Sequence, residues 1–229
     1  MITYNGEKFV KQQIESILKQ LDVKDELIIS DDSSTDSTIN IIEEINDSRI
    51  KLLKNNKFKN PTFNMENALK FAKGDYIIMS DQDDVWTDDK VRVVLEYLQV
   101  YDYVVSDCYI TDGDLNIKSE TRFLKEANIA TNKYLALVRP TPYQGSCAAF
   151  NKKVLEKSLP FPKHIQSHDR WIGYIASFFF KYKIIPEKLI YYRRHDNNVS
   201  TSSTGKSKNS FIQKMKYRLG YIIGILSRI

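Results

Sequence analysis

The stretch Ser80-Asp81-Gln82-Asp83-Asp84-Val85-Trp86 sets three carboxylates and an amide directly after the apolar run Tyr76-Ile77-Ile78-Met79. Carboxylates this close repel one another unless a positive charge lies among them, and a hard divalent cation takes oxygen ligands of this kind. A solvated acidic turn is the simpler reading of an arbitrary acidic cluster. The position after a buried strand favours a ligand instead, because open α/β sheets bind ligands at the carboxyl ends of their strands. A second pair, Asp31-Asp32, ends the strand pattern Glu26-Leu27-Ile28-Ile29-Ser30 and opens the polar stretch Ser33-Ser34-Thr35-Asp36-Ser37-Thr38. Helix capping explains one or two such residues. It does not call for two adjacent carboxylates, which can accept hydrogen bonds from a base edge or a ribose. His168-Asp169-Arg170-Trp171 opens a strongly apolar helical pattern. Asp169 there either answers the helix dipole or takes a proton as a general base. Arg193-Arg194-His195 follows Lys188-Leu189-Ile190-Tyr191-Tyr192 and offers donors to phosphate oxygens, with an exposed basic turn as the alternative.

These groups need elements to hold them. Met1-Ile2-Thr3-Tyr4 reads as the tail of a strand, and Asn5-Gly6 as a turn. Val10, Ile14, Ile17, Leu18 and Leu21 recur at helical spacing, which predicts a helix from about Glu7 to Leu21. A second amphipathic helix carries Ile39, Ile42 and Ile45, and a third carries Met65, Ala68, Leu69, Phe71 and Ala72. Between and after them stand the strands Ile50 to Leu53, Asp75 to Met79 and Asp102 to Ile110, with a helix from Asp88 to Val100. Such alternation implies parallel strands covered by helices, an α/β fold. Farther on, Ala127 to Val138 is predicted helical and is broken by Pro140 and Pro142. A tight loop through Gly145-Ser146, a short strand Cys147 to Phe150 and a short helix Asn151 to Ser158 follow.

The rest of the chain narrows the classes. Its 229 residues suffice for one large domain with a sizeable core. Cys108 and Cys147 alone make neither a disulfide framework nor a metal-ligand spacing, and they read as small buried side chains in a reducing cytosol. No run is long and apolar enough to span a bilayer, and the first residues lack the basic-then-apolar pattern of a leader. The net charge of +5 gathers partly in the tail. Without aromatics interleaved on a sheet face it does not point to nucleic acid. Ser200 to Ser207 reads as a linker. Beyond it, Phe211 to Ile229 is a basic amphipathic helix with the stripe Phe211, Ile212, Met215, Leu219, Ile222, Ile223 and Leu226. Two destinations stay open for the 206–229 segment: the body of the protein or a partner subunit, or an anionic membrane surface.

Taken in order, Thr3-Tyr4-Asn5-Gly6, Asp31-Asp32-Ser33-Ser34-Thr35-Asp36, Ser80 to Trp86 and His168 to Trp171 resemble family 2 glycosyltransferases of the GT-A fold. The flavour is that of the bacterial rhamnosyl-, galactosyl- and glucosyltransferase-like branch that builds surface polysaccharides. Each motif alone is weak; the ordered set, spread over roughly Met1 to Ser200, is specific. The resemblance implies a single Rossmann-like, mostly parallel sheet flanked by helices. Residues 1–200 would form the catalytic domain, with 1–110 binding the nucleotide-sugar and 111–200 the acceptor. The linker and short helical tail would occupy 201–229. By the same resemblance Thr3 and Tyr4 lie beside the nucleotide, Asp32 hydrogen-bonds the uracil or thymine ring, and Asp31 supports it. Asp81-Gln82-Asp83 is similar to the family's DxD motif: Asp83 would coordinate Mn²⁺ or Mg²⁺, and Asp81 would serve the ribose or the metal's water shell. Asp84 would adjoin the donor sugar, Trp86 wall the pocket, and Gly145 and Ser146 face the transferred sugar. Asp169 matches the catalytic base, with His168 and Trp171 shaping the acceptor side. Arg194 and His195 match a basic motif over the diphosphate.

The implied protein is a metal-dependent inverting glycosyltransferase. It would move a hexose or 6-deoxyhexose from a UDP- or dTDP-sugar to a lipid-linked or polysaccharide acceptor, in the cytoplasm or at the inner face of a bacterial membrane. The chain departs from the family pattern in its short first strand and short carboxyl-terminal region. Two alternatives stand beside it. A nucleotidyltransferase is disfavoured because Asn5-Gly6-Glu7-Lys8 lacks a glycine- and arginine-rich phosphate loop. A catalytically impaired nucleotide-sugar-binding subunit has its best support in the short first strand.

Overall fold

The computed structural model describes residues 1–54, 56–122, 132–139, 141–195 and 210–229, the side chain of Phe211 excepted. In chain order the elements are β1 (Ile2–Thr3), α1 (Val10–Leu18), β2 (Leu27–Asp31), α2 (Thr38–Ile45), β3 (Ile50–Leu53), α3 (Pro61–Lys70), β4 (Tyr76–Ile78) and β5 (Val85–Trp86). There follow α4 (Lys90–Leu98), β6 (Tyr103–Thr111), β7 (Ile117–Ser119), α5 (Lys133–Ala136), a 3-10 turn at Gly145–Cys147 and β8 (Ala148–Asn151). The chain closes with α6 (Lys152–Ser158), α7 (His168–Phe179), β9 (Tyr182–Arg193) and α8 (Phe211–Leu226).

The α/β architecture expected from the alternation is the one formed, a curled sheet flanked by helices. β1, β2 and β3 pair in parallel in that order. A second ladder runs β4-β8-β6-β9-β5, with β7 on β6; its β6–β9 pair is parallel and its other pairs antiparallel. Every residue of β2 is buried, as expected of a strand covered on both faces. On α1, Val10, Ile14 and Ile17 turn one stripe into a core that also takes Ile29 of β2, Met79 just after β4, Phe150 of β8, and Trp171 and Ile175 of α7. Val94 of α4 packs with Val104, Ile185 and Leu189 on the opposite face of the second ladder. α3 starts where its sequence says it should. Pro61 occupies the first helical position, and the Asn60 side chain accepts the Thr62 amide at 2.8 Å.

The differences from expectation have local causes. β5 and β7, two and three residues long, carry too little pattern to be read. β9 begins at Tyr182, well before Lys188, because the long β6 supplies a parallel partner from Tyr103 onward. Pro186, which has no amide to donate, falls in a register slip between Ile185 and Lys188. Of the helix expected over 127–138, the part among the described residues is the single turn α5; residues 123–131 lie outside them. The linker lies outside them too. Cys108 and Cys147 are free thiols and buried, as expected. Among the described residues no helix is long and apolar enough to cross a membrane.

α8 packs one face against α7. Tyr221 and Ile225 are buried there, and the Tyr221 hydroxyl accepts the amides of Gln166 and Ser167 at 3.2 and 3.0 Å, just ahead of α7. Gly220 and Gly224 permit the approach. A Cβ on Gly220 would lie 2.5 Å from the His164 carbonyl oxygen, and one on Gly224 2.8 Å from the Trp171 ring.

Candidate active site

The carboxyl ends of β1, β2 and β4 meet, and side chains tie them together. Thr3 Oγ1 donates to Asp31 at 2.7 Å, and Asp31, fully buried, also accepts the amide and hydroxyl of Ser34. Asp31 is therefore an internal brace of the β2 end. Asp32 accepts the Phe58 amide at 2.7 Å on one oxygen and the Asn60 amide at 3.1 Å on the other. It holds the loop that enters α3, and a ligand contacting it would share those oxygens.

The backbone amides of the turn after β1 are met by side chains from elsewhere in the chain. The amides of Tyr4, Asn5, Gly6 and Glu7 donate to the side chains of Gln82, Ser34, Thr38 and Asp36, respectively. Asn5 adopts φ 47°, a left-handed conformation that Asn tolerates, and its side chain accepts the Thr35 amide in return. Gln82 makes a two-point pin. Its Oε1 takes the Tyr4 amide at 2.8 Å and its Nε2 donates to the Tyr4 carbonyl at 3.0 Å. The amide lies against Gly6, where a Cβ would come within 2.3 Å of it. The middle residue of Asp81-Gln82-Asp83 is thus a clamp between the β1 turn and the acidic loop.

The acidic loop gathers charge. Desolvation first, then the carboxylates of Asp83 and Asp169, push the Asp81 pKa up to about 7. Asp169, distant in sequence from Asp81 and Asp83, thus shares one electrostatic field with them. Asp84 is fully buried. One oxygen accepts the Arg193 amide at 3.1 Å, while Oδ2 has no hydrogen-bond partner. Burial, then Asp83 and Asp81, raise its pKa well above the usual carboxylate range. Lys90, also buried, donates to the Ser146 carbonyl at 2.7 Å and stands 4.5 Å over the Trp86 ring. Burial lowers its pKa to about 8.

Asp83 faces the end of β9. His195 Nε2 lies 3.0 Å from Asp83 Oδ2, and the imidazole stacks on Phe9 at 4.7 Å. Arg193 runs beneath. Its Nε donates to the Asp83 carbonyl at 2.9 Å, its other nitrogens reach Gly113 and Gln12, and its guanidinium lies 4.5 Å over Phe9. Arg194 instead gives its amide to Thr111 and is half-buried. The buried brace of the acidic loop is Arg193; the sequence offered it with Arg194 as a donor to phosphate oxygens, and the family resemblance gave that role to Arg194 and His195 alone.

Across the cleft stands the start of α7. Asp169 occupies its first turn, half-buried, with Oδ1 accepting the Arg170 amide at 2.8 Å. His168 is buried, its Nδ1 has no partner, and desolvation lowers its pKa. Gly145 packs on this pair, since a Cβ there would lie 3.0 Å from His168 Nε2 and 3.7 Å from Asp169 Cβ. The Ser146 hydroxyl is buried without a partner. Trp171 is not brought to the cleft. It is fully buried, with its indole N–H on the Ser158 carbonyl at 2.8 Å and its ring under α8. Trp86 is buried likewise, with its backbone amide on Ser16.

The donor set suits a divalent ion shared with a phosphate. Among the described residues no three His, Cys, Asp or Glu side chains form a metal cage. Asp83 and His195 nonetheless converge, in a loop that also carries Asp81. Ions bound with substrate phosphates commonly take one or two protein ligands rather than a full cage.

The chain matches the family model described as Glycosyl transferase family 2 over residues 1–159. It is 42% identical over 105 residues to the dTDP-rhamnosyl transferase RfbG of Shigella flexneri, covering 43% of this chain and 36% of that one. It is 36% identical over 140 residues to the UDP-Glc:alpha-D-GlcNAc-diphosphoundecaprenol beta-1,3-glucosyltransferase WfaP of Escherichia coli, covering 56% and 55%. The chain thus spans about half or less of the length of these two curated relatives. A longer match, 26% identical over 229 residues, covers 96% of this chain and 70% of the GalNAc(5)-diNAcBac-PP-undecaprenol beta-1,3-glucosyltransferase of Campylobacter jejuni. Among solved structures, S. aureus TarS 1-349 in complex with UDP-GlcNAc superposes with a TM-score of 0.73 at 17% identity, over 99% of this chain and 67% of that one. That likeness establishes a shared fold.

Proposed function

The chain belongs to glycosyl transferase family 2, and from that premise we propose that it is a metal-dependent inverting glycosyltransferase of bacterial surface-glycan synthesis. It moves a hexose or 6-deoxyhexose from a UDP- or dTDP-sugar to a lipid-linked or polysaccharide acceptor, in the cytoplasm at the inner face of the membrane. The observation that carries this reading is the acidic loop itself, with Asp83 3.0 Å from His195 and Gln82 pinning the loop to the β1 turn; Asp169 adds its charge to the same field. The donors and lipid-linked acceptors named for the relatives point the same way.

Residues 1–110 present the donor in this reading and residues 111–200 the acceptor side. Asp32, on its two loop amides, accepts the ring N–H of the base; Asp31 braces it. Thr3 and Tyr4 lie beside the nucleotide, and Asp81 serves the ribose. Asp83 with His195 holds Mn²⁺ or Mg²⁺, which when bound neutralises charge on the departing diphosphate. Arg194 adds positive charge there. Gly145 adjoins the donor sugar, with the buried Ser146 and Asp84 behind it. Asp169 takes the proton of an acceptor hydroxyl as its oxygen bonds the anomeric carbon. The bond from that carbon to the phosphate oxygen breaks on the opposite side, and its electron pair leaves with the nucleoside diphosphate. A single displacement inverts the anomeric centre.

A panel of UDP-, dTDP- and GDP-sugars with Mn²⁺, read by thermal shift and by release of nucleoside diphosphate, tests the reading. Turnover of a UDP- or dTDP-sugar is expected. A preference for GDP donors removes the role given to Asp32, and absence of turnover with any donor removes the enzyme. The Gln82 pin has its own expected result. Gln82→Ala frees both polar groups of Tyr4 and raises the donor KM with little change in kcat. Two neutral hydrogen bonds at about 0.5–1.5 kcal/mol each set the scale at about tenfold. An unaltered KM would show the pin to be dispensable.

A further inference from the structure

The amphipathic pattern of the tail offered two destinations, and the helix has a face for each. The inward face, with Tyr221, Ile225 and the two glycines, is taken by the protein body. On the opposite face Ile212 is 67%, Met215 47%, Leu219 57%, Ile222 38%, Ile223 58% and Leu226 60% exposed. They fall at spacings of three, four, three, one and three residues, one continuous stripe along α8. Isolated exposed hydrophobics are ordinary, but an apolar stripe along four helical turns marks a surface that is covered in use.

The charges choose the cover. From Ser210 to Ile229 the chain has no Asp or Glu, whereas Lys214, Lys216, Arg218 and Arg228 are cationic. Lys214 and Lys216 are exposed. On the helical wheel Lys216 borders the stripe on one side and Arg218 on the other, and Arg218 also reaches the Val138 carbonyl at 2.9 Å. The neighbouring α5 turn continues the surface with Tyr134 and Val138, 64% and 56% exposed. A second copy seated on this face by two-fold symmetry would bring cations of one sign together. An apolar face rimmed by lysine and arginine is instead complementary to lipid: acyl chains take the stripe, and anionic headgroups meet its edges.

We infer that the outward face of α8 seats the protein on an anionic bilayer. The inference rests on the proposed lipid-linked acceptor for its purpose and specifies the contact. α8 lies directly on the segment that starts α7, through the Tyr221 bonds to Gln166 and Ser167. The bilayer contact is therefore about one helix diameter, about 10–12 Å, from the segment that starts α7 and carries Asp169.

The test is co-sedimentation of the full chain with vesicles of phosphatidylethanolamine and phosphatidylglycerol, with phosphatidylcholine vesicles as control. The protein is expected to pellet with the anionic vesicles and to be released by salt. Leu219→Glu/Ile223→Glu, at positions more than half exposed, is expected to lower partitioning by at least roughly tenfold, with little change in melting temperature and unchanged solution turnover of the donor. Lys214→Gln/Lys216→Gln is expected to weaken binding to anionic vesicles specifically. Three results would each overturn the inference: absence of binding, equal binding to phosphatidylcholine, or a concentration-dependent dimer that the Glu double variant dissolves. Solution turnover of the sugar nucleotide requires no vesicle, so loss of the membrane contact and loss of the enzymatic reading are separate outcomes.

Discussion

Asp83→Ala is expected to abolish metal-dependent turnover while changing the stability of the metal-free protein little. The Asp83 carboxylate raises the pKa of Asp81 and of Asp84 by repulsion, so its removal relieves an unfavourable field, which offsets the loss of its 3.0 Å contact with His195. The loop should keep its shape, because Arg193 holds it at the Asp83 carbonyl, which alanine retains. The catalytic loss is large because the proposed ion on the diphosphate has one carboxylate and one imidazole to hold it. Loss of a main electrostatic stabiliser of a leaving group costs about 10²–10³ in kcat or more. Thermal melts with and without Mn²⁺ and UDP, beside release of nucleoside diphosphate, check both halves. The unaltered protein should be stabilised by the pair of ligands and the variant should not. Metal-dependent turnover surviving in the variant would remove Asp83 from the site.

Asp169→Asn is expected to keep donor binding and lose transfer. Asparagine preserves the shape at the first turn of α7, and its oxygen can still accept the Arg170 amide that Asp169 now accepts. What it cannot do is take a proton. A positioned general base contributes about 10²–10⁴-fold, so kcat should fall by that order while nucleotide affinity and the metal-induced stabilisation stay as they were. The measurement is single-turnover transfer to an acceptor beside nucleotide titration of the same preparation. Full transfer by the variant would mean that another group deprotonates the acceptor. Asp83→Ala and Asp169→Asn therefore fail at different stages, one at donor engagement and one at chemistry.

The motifs were legible because each sits where backbone pattern changes. An apolar strand ending in carboxylates is a local signal that Asp32, Asp81 and Asp83 carry, whereas Asp169 is marked by opening an apolar helical pattern. Their meeting was implied by alternating strands and helices, which bring carboxyl ends to one edge. The supports were not legible. Gln82 bonds a backbone 78 residues away, and Arg193 one 110 residues away; neither partner is encoded near its donor. Trp171, adjacent in sequence to the cleft residues, is turned into the core by helical geometry that a short motif does not carry. In α8, periodicity found the apolar stripe but not the docked face. That face was chosen by two glycines, whose lack of a side chain lets another surface approach.

The turn from Tyr4 to Glu7 has a consequence for protein engineering. Its shape is written in Ser34, Asp36, Thr38 and Gln82, which receive its four amides. Grafting Tyr4 to Glu7 alone into a relative would transplant the letters without the conformation, leaving four donors to find water. The transferable module is discontinuous: one turn, one helix entry and one acidic loop, exchanged together or not at all. Recombination that respects chain order but separates these segments should yield soluble chimeras with loosened nucleotide sites, whereas exchange of all three should carry donor preference with it.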